Sequence, residues 1–245
     1  MKITGIIPAR FGSTRFPGKP LVEIQGKSMI LRVYEQAVKA RLLHQVFVAT
    51  DDERICDHVR AFSGNVIMTN TDHANGTERC AEAGRLLGDD DEAIINIQGD
   101  EPFIDPGQID LVAVALKEDT NAIVTLVKKL DNFDEYLRPG VVKVAVDKDL
   151  NALYFSRAPI PYIHTADAAA LFYSGEFYKH IGIYGFPKQI LKEVVALPQS
   201  SLERAESLEQ LRWLENGFRI RVRITQHESL AIDTPGDLEI LNSKF

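Results

Sequence analysis

The chain has 245 residues, 45% of them apolar and 26% charged, enough to bury one sizeable α/β core. Lys and Arg number 28 against 35 Asp and Glu, a net charge of −7 with no long basic run, which argues against general nucleic-acid binding and leaves any anionic ligand to local cations. No run of 18 apolar residues spans a membrane, the apolar start is too short for a signal peptide before Arg10, and Cys56 and Cys80 make no CxxC or Cys/His cluster, so a cytoplasmic protein with reduced thiols is expected.

Residues 3–7 form a short apolar run that reads as a strand, followed by a Pro/Gly-rich loop over 8–20. The loop carries Arg10, Arg15 and Lys19 among small and hydroxylated residues. Guanidinium forks and accessible backbone N–H groups suit a polyphosphate. It is not a Walker A loop, because five residues separate Gly12 from Gly18 and Pro20 follows Lys19; a GxGxxG fingerprint is missing too. On charge alone it also reads as a plain basic surface loop.

Residues 28–43 follow with Met29, Val33, Ala37 and Ala40 at helical spacing, then a buried strand over 45–50 and a polar helix over 52–63. A strand over 65–68, a helix over 77–87, a central strand over 93–97 and a helix over 107–117 complete the first half. Alternating strands and helices predict an α/β fold with a mostly parallel sheet, whose ligands bind beyond the carboxyl ends of strands, here after Ile7, Thr50 and Ile97.

Asp100 stands just past the central strand, and Gly99 before it admits a close ligand. A carboxylate there suits Mg²⁺ bridging phosphate oxygens, or else caps the next turn. Residues 141–146 and 152–155 read as paired strands around Asp147-Lys148-Asp149, and 180–186 alternates like a strand. A helix over 201–216, a strand over 219–225 and a last helix from Thr234 end the chain. The whole is one domain, 1–245, in which about 128–200 reads as an insertion forming a lid or a dimer contact. Thr234-Pro235-Gly236-Asp237 already supplies a helix start, which leaves Asp233 surplus to the cap. Asp89-Asp90-Asp91 and Asp147-Lys148-Asp149 fit the letters of a DxD metal motif but read as surface turns.

The opening Pro8-Ala9-Arg10, Ser13-Thr14-Arg15 and Pro17-Gly18-Lys19-Pro20 resemble the signature of sugar nucleotidyltransferases, specifically the CMP-Kdo synthetases, which activate 3-deoxy-D-manno-octulosonate (Kdo). The match runs on through Ala49-Thr50-Asp51-Asp52, Gly76-Thr77-Glu78-Arg79, Gln98-Gly99-Asp100-Glu101-Pro102 and Tyr154-Phe155-Ser156-Arg157. It ends with the blocks 180–185 (HIGIYG), 208–212 (LEQLR) and Ile232-Asp233-Thr234-Pro235.

The resemblance implies a Rossmann-like, glycosyltransferase-A-like nucleotidyltransferase fold: a mixed, mostly parallel sheet with helices on both faces and a small insertion. It implies that the Kdo anomeric hydroxyl attacks the α-phosphorus of CTP, releasing pyrophosphate for lipopolysaccharide biosynthesis. Arg10, Arg15 and Lys19 would hold the triphosphate, and Asp100 and Asp233 one or two Mg²⁺. Pro8, Ala9, Ala49, Thr50, Gly76, Thr77, Arg79 and Gln98 would complete the nucleotide site. Gln98, Arg157, His180, Tyr184, Glu209 and Gln210 would bind the sugar, and the enzyme would be a homodimer. Taken singly, several of these have bland alternatives: an Arg79–Glu82 helix-face pair, a structural His180, a solvated Glu209–Gln210 flank. No arginine falls between Arg157 and Arg204, where His164 stands in a stretch that is more charged in the family. The 8-amino form of Kdo, or another 2-keto sugar acid, is therefore the alternative substrate. A CTP-binding regulatory paralogue is the non-enzyme alternative, which the presence of Lys19, Asp100 and Asp233 opposes.

Overall fold

The structure, a computed structural model, describes residues 1–12, 16–88, 90–228, 231–232 and 234–244, with side chains as far as Glu239. The apolar runs become strands β1 (Ile3–Ala9), β4 (Gln45–Thr50), β5 (Val66–Met68) and β6 (Ala93–Asn96), separated by a small hairpin of β2 (Glu23–Ile24) and β3 (Lys27–Ser28). Helices α1 (Met29–Ala37), α2 (Glu53–Ala61) and α3 (Gly76–Leu86) connect them, and α4 (Pro106–Glu118) follows β6. Side-chain caps start these helices where the sequence supplies them: Ser28, Asp52, Asn75 and Asp105, the last in a reciprocal box with Gln108. The cap of α4 is thus Asp105, which removes the capping alternative for Asp100.

The second half contributes β7 (Ile123–Lys129), α5 (Phe133–Leu137), β8 (Lys143–Val146), β9 (Ala152–Ser156) and α6 (Ala168–Ser174). Then come β10 (Tyr178–Pro187), α7 (Lys188–Val195), α8 (Ser201–Glu206), α9 (Gln210–Glu215), β11 (Ile220–Ile224) and α10 (Pro235–Lys244). Among the described residues the main sheet runs β11-β7-β10-β6-β1-β4-β5, with β8 and β9 added beside the start of β10. All pairs along the row are parallel except those of β10, which is antiparallel to both β6 and β7.

Both faces of the sheet are buried, which is why its strands read as continuous apolar runs rather than alternations. On one face Ile7, Ile95 and Ile97 pack with Val33, Ile55, Ile109 and Val112 of α1, α2 and α4. On the other, Ile6, Ile94, Tyr184 and Phe186 pack with Cys80 and Ala83 of α3, Leu191 of α7 and Trp213 of α9.

Three expectations are corrected. The helix read over 28–43 ends at Ala37, because residues 38–40 only turn before β4. The helix read over 201–216 is two, α8 and α9, separated by Ser207 in the left-handed region (φ 52°). The span 128–200 is not all peripheral, since β10 lies in the middle of the sheet and α7 packs on its face. While the β8–β9 hairpin packs Val144, Ala152 and Phe155 into the second face of the sheet, a smaller piece around α5 and α6 is set off. Its own aromatic core joins Phe133, Tyr136, Phe172 and Phe177, with ring centroids 5.2–5.9 Å apart.

Candidate active site

The carboxyl ends of β1 and β6 lie side by side, paired up to Ile6 and Asn96. Beyond them a cleft of about 210 Å³ opens, floored by Pro8, Ala9, Gln98 and Gly99. Gly99 is required there: a Cβ would fall 2.7 Å from the carbonyl oxygen of Pro8. Arg10 and Lys19 stand at one side, and Asn75, Gly76 and Arg79 at the start of α3 face them. The loop after β1 folds back through a hydrogen bond from Gly18 N to Phe11 O, 2.9 Å, with Gly18 left-handed at φ 73°. That closure brings Lys19 to the cleft, where its Nζ meets Asp100 Oδ2 at 2.8 Å in a half-buried ion pair.

Arg79 is buried and donates to Asp51 Oδ2 (2.7 Å), Thr69 Oγ1 (2.5 Å) and Asn70 O (3.3 Å). The helix-face pair with Glu82 is replaced by this network; Glu82 instead accepts from Asn70 N (2.8 Å) and faces His73 Nε2 (2.6 Å). Arg79 therefore braces the wall of the cleft and the loop before α3. Ala49 and Thr50 are fully buried on β4, beside Pro8 and Ala9 in register, and Thr50 O accepts from Thr69 N. They support the cleft from beneath and are not in its lining. A larger cavity of about 770 Å³ lies between α3 and α7, sharing His73 with the cleft but holding none of the predicted site residues.

Thr77, one residue into α3, donates to Glu209 Oε2 at 2.8 Å. This joins the nucleotide-side block to the residues expected on the sugar side. Burial pushes the Glu209 carboxyl up to about 7, against the Thr77 hydrogen bond and the Arg212 charge, which pull it down. His180 and Tyr184 flank a bulge of β10, their ring centroids 5.2 Å apart. The bulge lies beside the cleft, for a Cβ on Gly182 would sit 3.7 Å from Gln98 Cγ.

Burial pushes His180 down to about 3, so it is neutral near pH 7. Its Nε2 lies 2.9 Å from Thr125 Oγ1, whose own proton has Ile183 O at 2.7 Å. That proton placement makes Nε2 the donor and leaves Nδ1 an acceptor. Burial also raises the Tyr184 phenol well above its usual value, so it stays protonated.

Arg157 is further out. Its Nε donates to Glu206 O (2.8 Å), and the two terminal nitrogens reach Ser207 O and Pro139 O, both 3.4 Å, closing the end of α8. Three of the five guanidinium N–H groups are so used, leaving two for another acceptor. Arg15 and Asp233 lie outside the described residues. Ile232 donates its N–H to Asp100 O at 2.9 Å, so the chain just before Asp233 is tied to the Asp100 turn. Thr234 and Asp237 form the reciprocal cap expected of them.

Asn75 escaped the sequence reading, although an Asn directly before a helix is a cap signal; its side chain accepts from Glu78 N at 2.9 Å. Of the DxD candidates, Asp147 is spent on the turn between β8 and β9, accepting from Asp149 N and Asn151 N.

A mostly parallel sheet, a cation-walled cleft at its strand ends and a carboxylate among the cations define a nucleotidyltransferase. A family model of cytidylyltransferases matches residues 4–224. The chain is 51% identical over 243 residues to 3-deoxy-manno-octulosonate cytidylyltransferase of Parabacteroides distasonis, covering 98% of this chain and 96% of that one. It is 49% identical to the protein of that name from Geobacter sulfurreducens, over 100% of both chains. Among solved structures, CMP:2-keto-3-deoxy-manno-octonic acid synthetase complexed with CTP matches with a TM-score of 0.91 at 39% identity, covering 100% of this chain and 98% of that one. At 14% identity and a TM-score of 0.65, covering 99% and 97%, 4-diphosphocytidyl-2C-methyl-D-erythritol synthase from Anaerococcus prevotii shares the fold alone. The chain thus belongs to the cytidylyltransferases and, within them, to the 3-deoxy-manno-octulosonate cytidylyltransferase family.

Proposed function

We propose that this enzyme transfers CMP from CTP to the anomeric hydroxyl of Kdo, releasing pyrophosphate. One observation carries the reading: the Lys19–Asp100 pair sits at the strand ends of a chain about half identical, end to end, to 3-deoxy-manno-octulosonate cytidylyltransferases. Phosphoryl-type transfers depend mainly on positioning and charge neutralisation. Arg10 and Lys19, with Arg15, neutralise the triphosphate and hold the leaving pyrophosphate.

The donor set fits Mg²⁺. Among the described residues no cluster of three acidic, His or Cys side chains could cage a metal. Mg²⁺ characteristically takes only one or two carboxylates, completing its shell with phosphate oxygens and water. Asp100 and Asp233 would hold it, and bound Mg²⁺ supplies Lewis acidity and charge neutralisation. Lys19 holds the Asp100 carboxylate in place through Oδ2.

On the sugar side, the two remaining N–H groups of Arg157 suit the Kdo carboxylate, while neutral His180, Tyr184, Glu209, Gln210 and Gln98 suit its hydroxyls. A homodimer is supported by large side chains left exposed around α6, Tyr162 at 81% and Tyr173 at 63%. A cytoplasmic location agrees with the need for CTP, and no helix among the described residues is long and apolar enough to cross a membrane.

The test is pyrophosphate release with CTP and Mg²⁺, offering Kdo and its 8-amino analogue in parallel. Kdo-dependent release is expected. Release with the amino sugar alone would keep the chemistry and move the specificity; no release with either would sink the reading.

A further inference from the structure

Lys143 of β8 is fully buried, at 0% exposure. Its ammonium donates to three main-chain carbonyls: Arg138 O at 2.8 Å, Val141 O at 2.5 Å and Arg157 O at 2.5 Å. Strand register explains the reach across the hairpin, since Lys143 is opposite Ser156 of β9 and Arg157 comes next. Three acceptors match the three N–H bonds of an ammonium; a neutral amine has only two. Burial pulls the Lys143 ammonium below its ordinary value, and the charge of Glu206 opposes that pull.

The other two carbonyls belong to one turn. Residues 138–141 lead from α5 into β8 and close through Val141 N to Arg138 O, 3.1 Å. Between them Pro139 O accepts from Arg157 Nη1 at 3.4 Å. Lys143 therefore holds Arg157 at both ends, its main chain directly and its guanidinium through the turn that presents Pro139 O. Glu206 holds the same residue further, accepting from Arg157 N at 2.9 Å and, through its carbonyl, from Nε at 2.8 Å. An apolar side chain at 143 would avoid the cost of burying a charge. What the ammonium adds is a donor set that reaches all three carbonyls. An arginine fixed in advance loses less side-chain entropy when it takes up an anion.

We infer that Lys143 is a positioning residue that sets Arg157 for the carboxylate of the sugar acid. The inference rests on the proposed cytidylyl transfer to Kdo, in which Arg157 takes that carboxylate. Lys143 is sealed from solvent with its three N–H bonds in use, so it acts through Arg157 and touches no substrate itself.

The experiment compares Lys143→Met, Arg157→Ala and the double variant with the wild type, measuring KM for Kdo and for CTP together with Tm. Lys143→Met keeps the length of the side chain and removes all three donors. It is expected to raise KM for Kdo about tenfold with KM for CTP unchanged. Its Tm falls, because buried carbonyls lose their donor. With Arg157→Ala already in place, Lys143→Met is expected to change KM for Kdo less than about twofold, since the group it positions is gone. Losses that multiply in full in the double variant overturn the inference, as does an equal rise in both KM values. A fall in Tm with both KM values intact also overturns it, marking a purely structural lysine. Lys143→Gln keeps two N–H groups and gives the same reading where Lys143→Met fails to fold. Its KM for Kdo is expected to rise about threefold with KM for CTP level, and an unchanged KM for Kdo overturns the inference. Wild-type turnover separates the two levels: Kdo consumed with unaltered variants sinks this inference alone, whereas no Kdo turnover sinks it together with the functional reading.

Discussion

Lys19 and Asp100 are 81 positions apart and meet at 2.8 Å, each setting the other's place in the cleft. Asp100→Asn keeps the shape and removes the charge, so kcat is expected to fall roughly 10²–10³-fold, the scale of losing one electrostatic contact to a transition state. KM for CTP should move far less, and near-normal kcat would remove Asp100 from the chemistry. Glu209 carries a pH signature. Its carboxyl has an ordinary value of 4.5 and is pushed up to about 7 in the fold. In that interval the folded chain keeps a proton that the unfolded chain releases, so this group's contribution to stability falls as pH rises through it and is level above. Glu209→Gln lacks the slope, and its Tm relative to wild type is expected to climb from about pH 4.5 to 7. A constant difference would show an ordinary carboxyl.

At the scale of elements, what was legible in the sequence followed from locality. The strand runs 45–50 and 93–96, the cation loop and the Thr234–Asp237 cap all lie within a few residues of chain, where spacing and turn chemistry speak directly. The non-local pairs did not show: Arg79 with Asp51 and Thr77 with Glu209 depend on where α3 packs, and Asn96 opposite Tyr184 on strand register. The split of α8 from α9 was hidden because Leu202, Leu208 and Leu211 keep an apolar rhythm, and the break falls on Ser207 with neither Gly nor Pro to mark it. Across that break Arg212 binds Glu203 with Nε–Oε2 2.8 Å and Nη2–Oε1 2.6 Å, both side chains buried. Arg212→Met strands the Glu203 carboxylate and is expected to cost about 3–5 kcal/mol in urea unfolding. A loss below about 1 kcal/mol would mean that solvent reaches the pair. Gly99→Ala drives a Cβ against the Pro8 carbonyl and must part the ends of β1 and β6. KM for CTP should rise several-fold; unchanged nucleotide kinetics would show that the cleft tolerates the shift.

For the whole molecule, the sheet order brings Arg10, Lys19, Arg79, Gln98 and Asp100 together beyond the carboxyl ends of β1 and β6, with the bulge of β10 beside them and Arg157 further out, while the piece around α5 and α6 keeps an aromatic core of its own. The exposed Tyr162 and Tyr173 belong to the latter piece. The central claim is that the anomeric oxygen of the sugar becomes the bridge to the α-phosphorus. The direct measurement is ³¹P NMR of the product made from CTP and Kdo carrying ¹⁸O at the anomeric hydroxyl. An isotope shift on the CMP phosphorus, with unlabelled pyrophosphate, is the result expected. Label lost to water or carried into pyrophosphate would contradict attack by that hydroxyl.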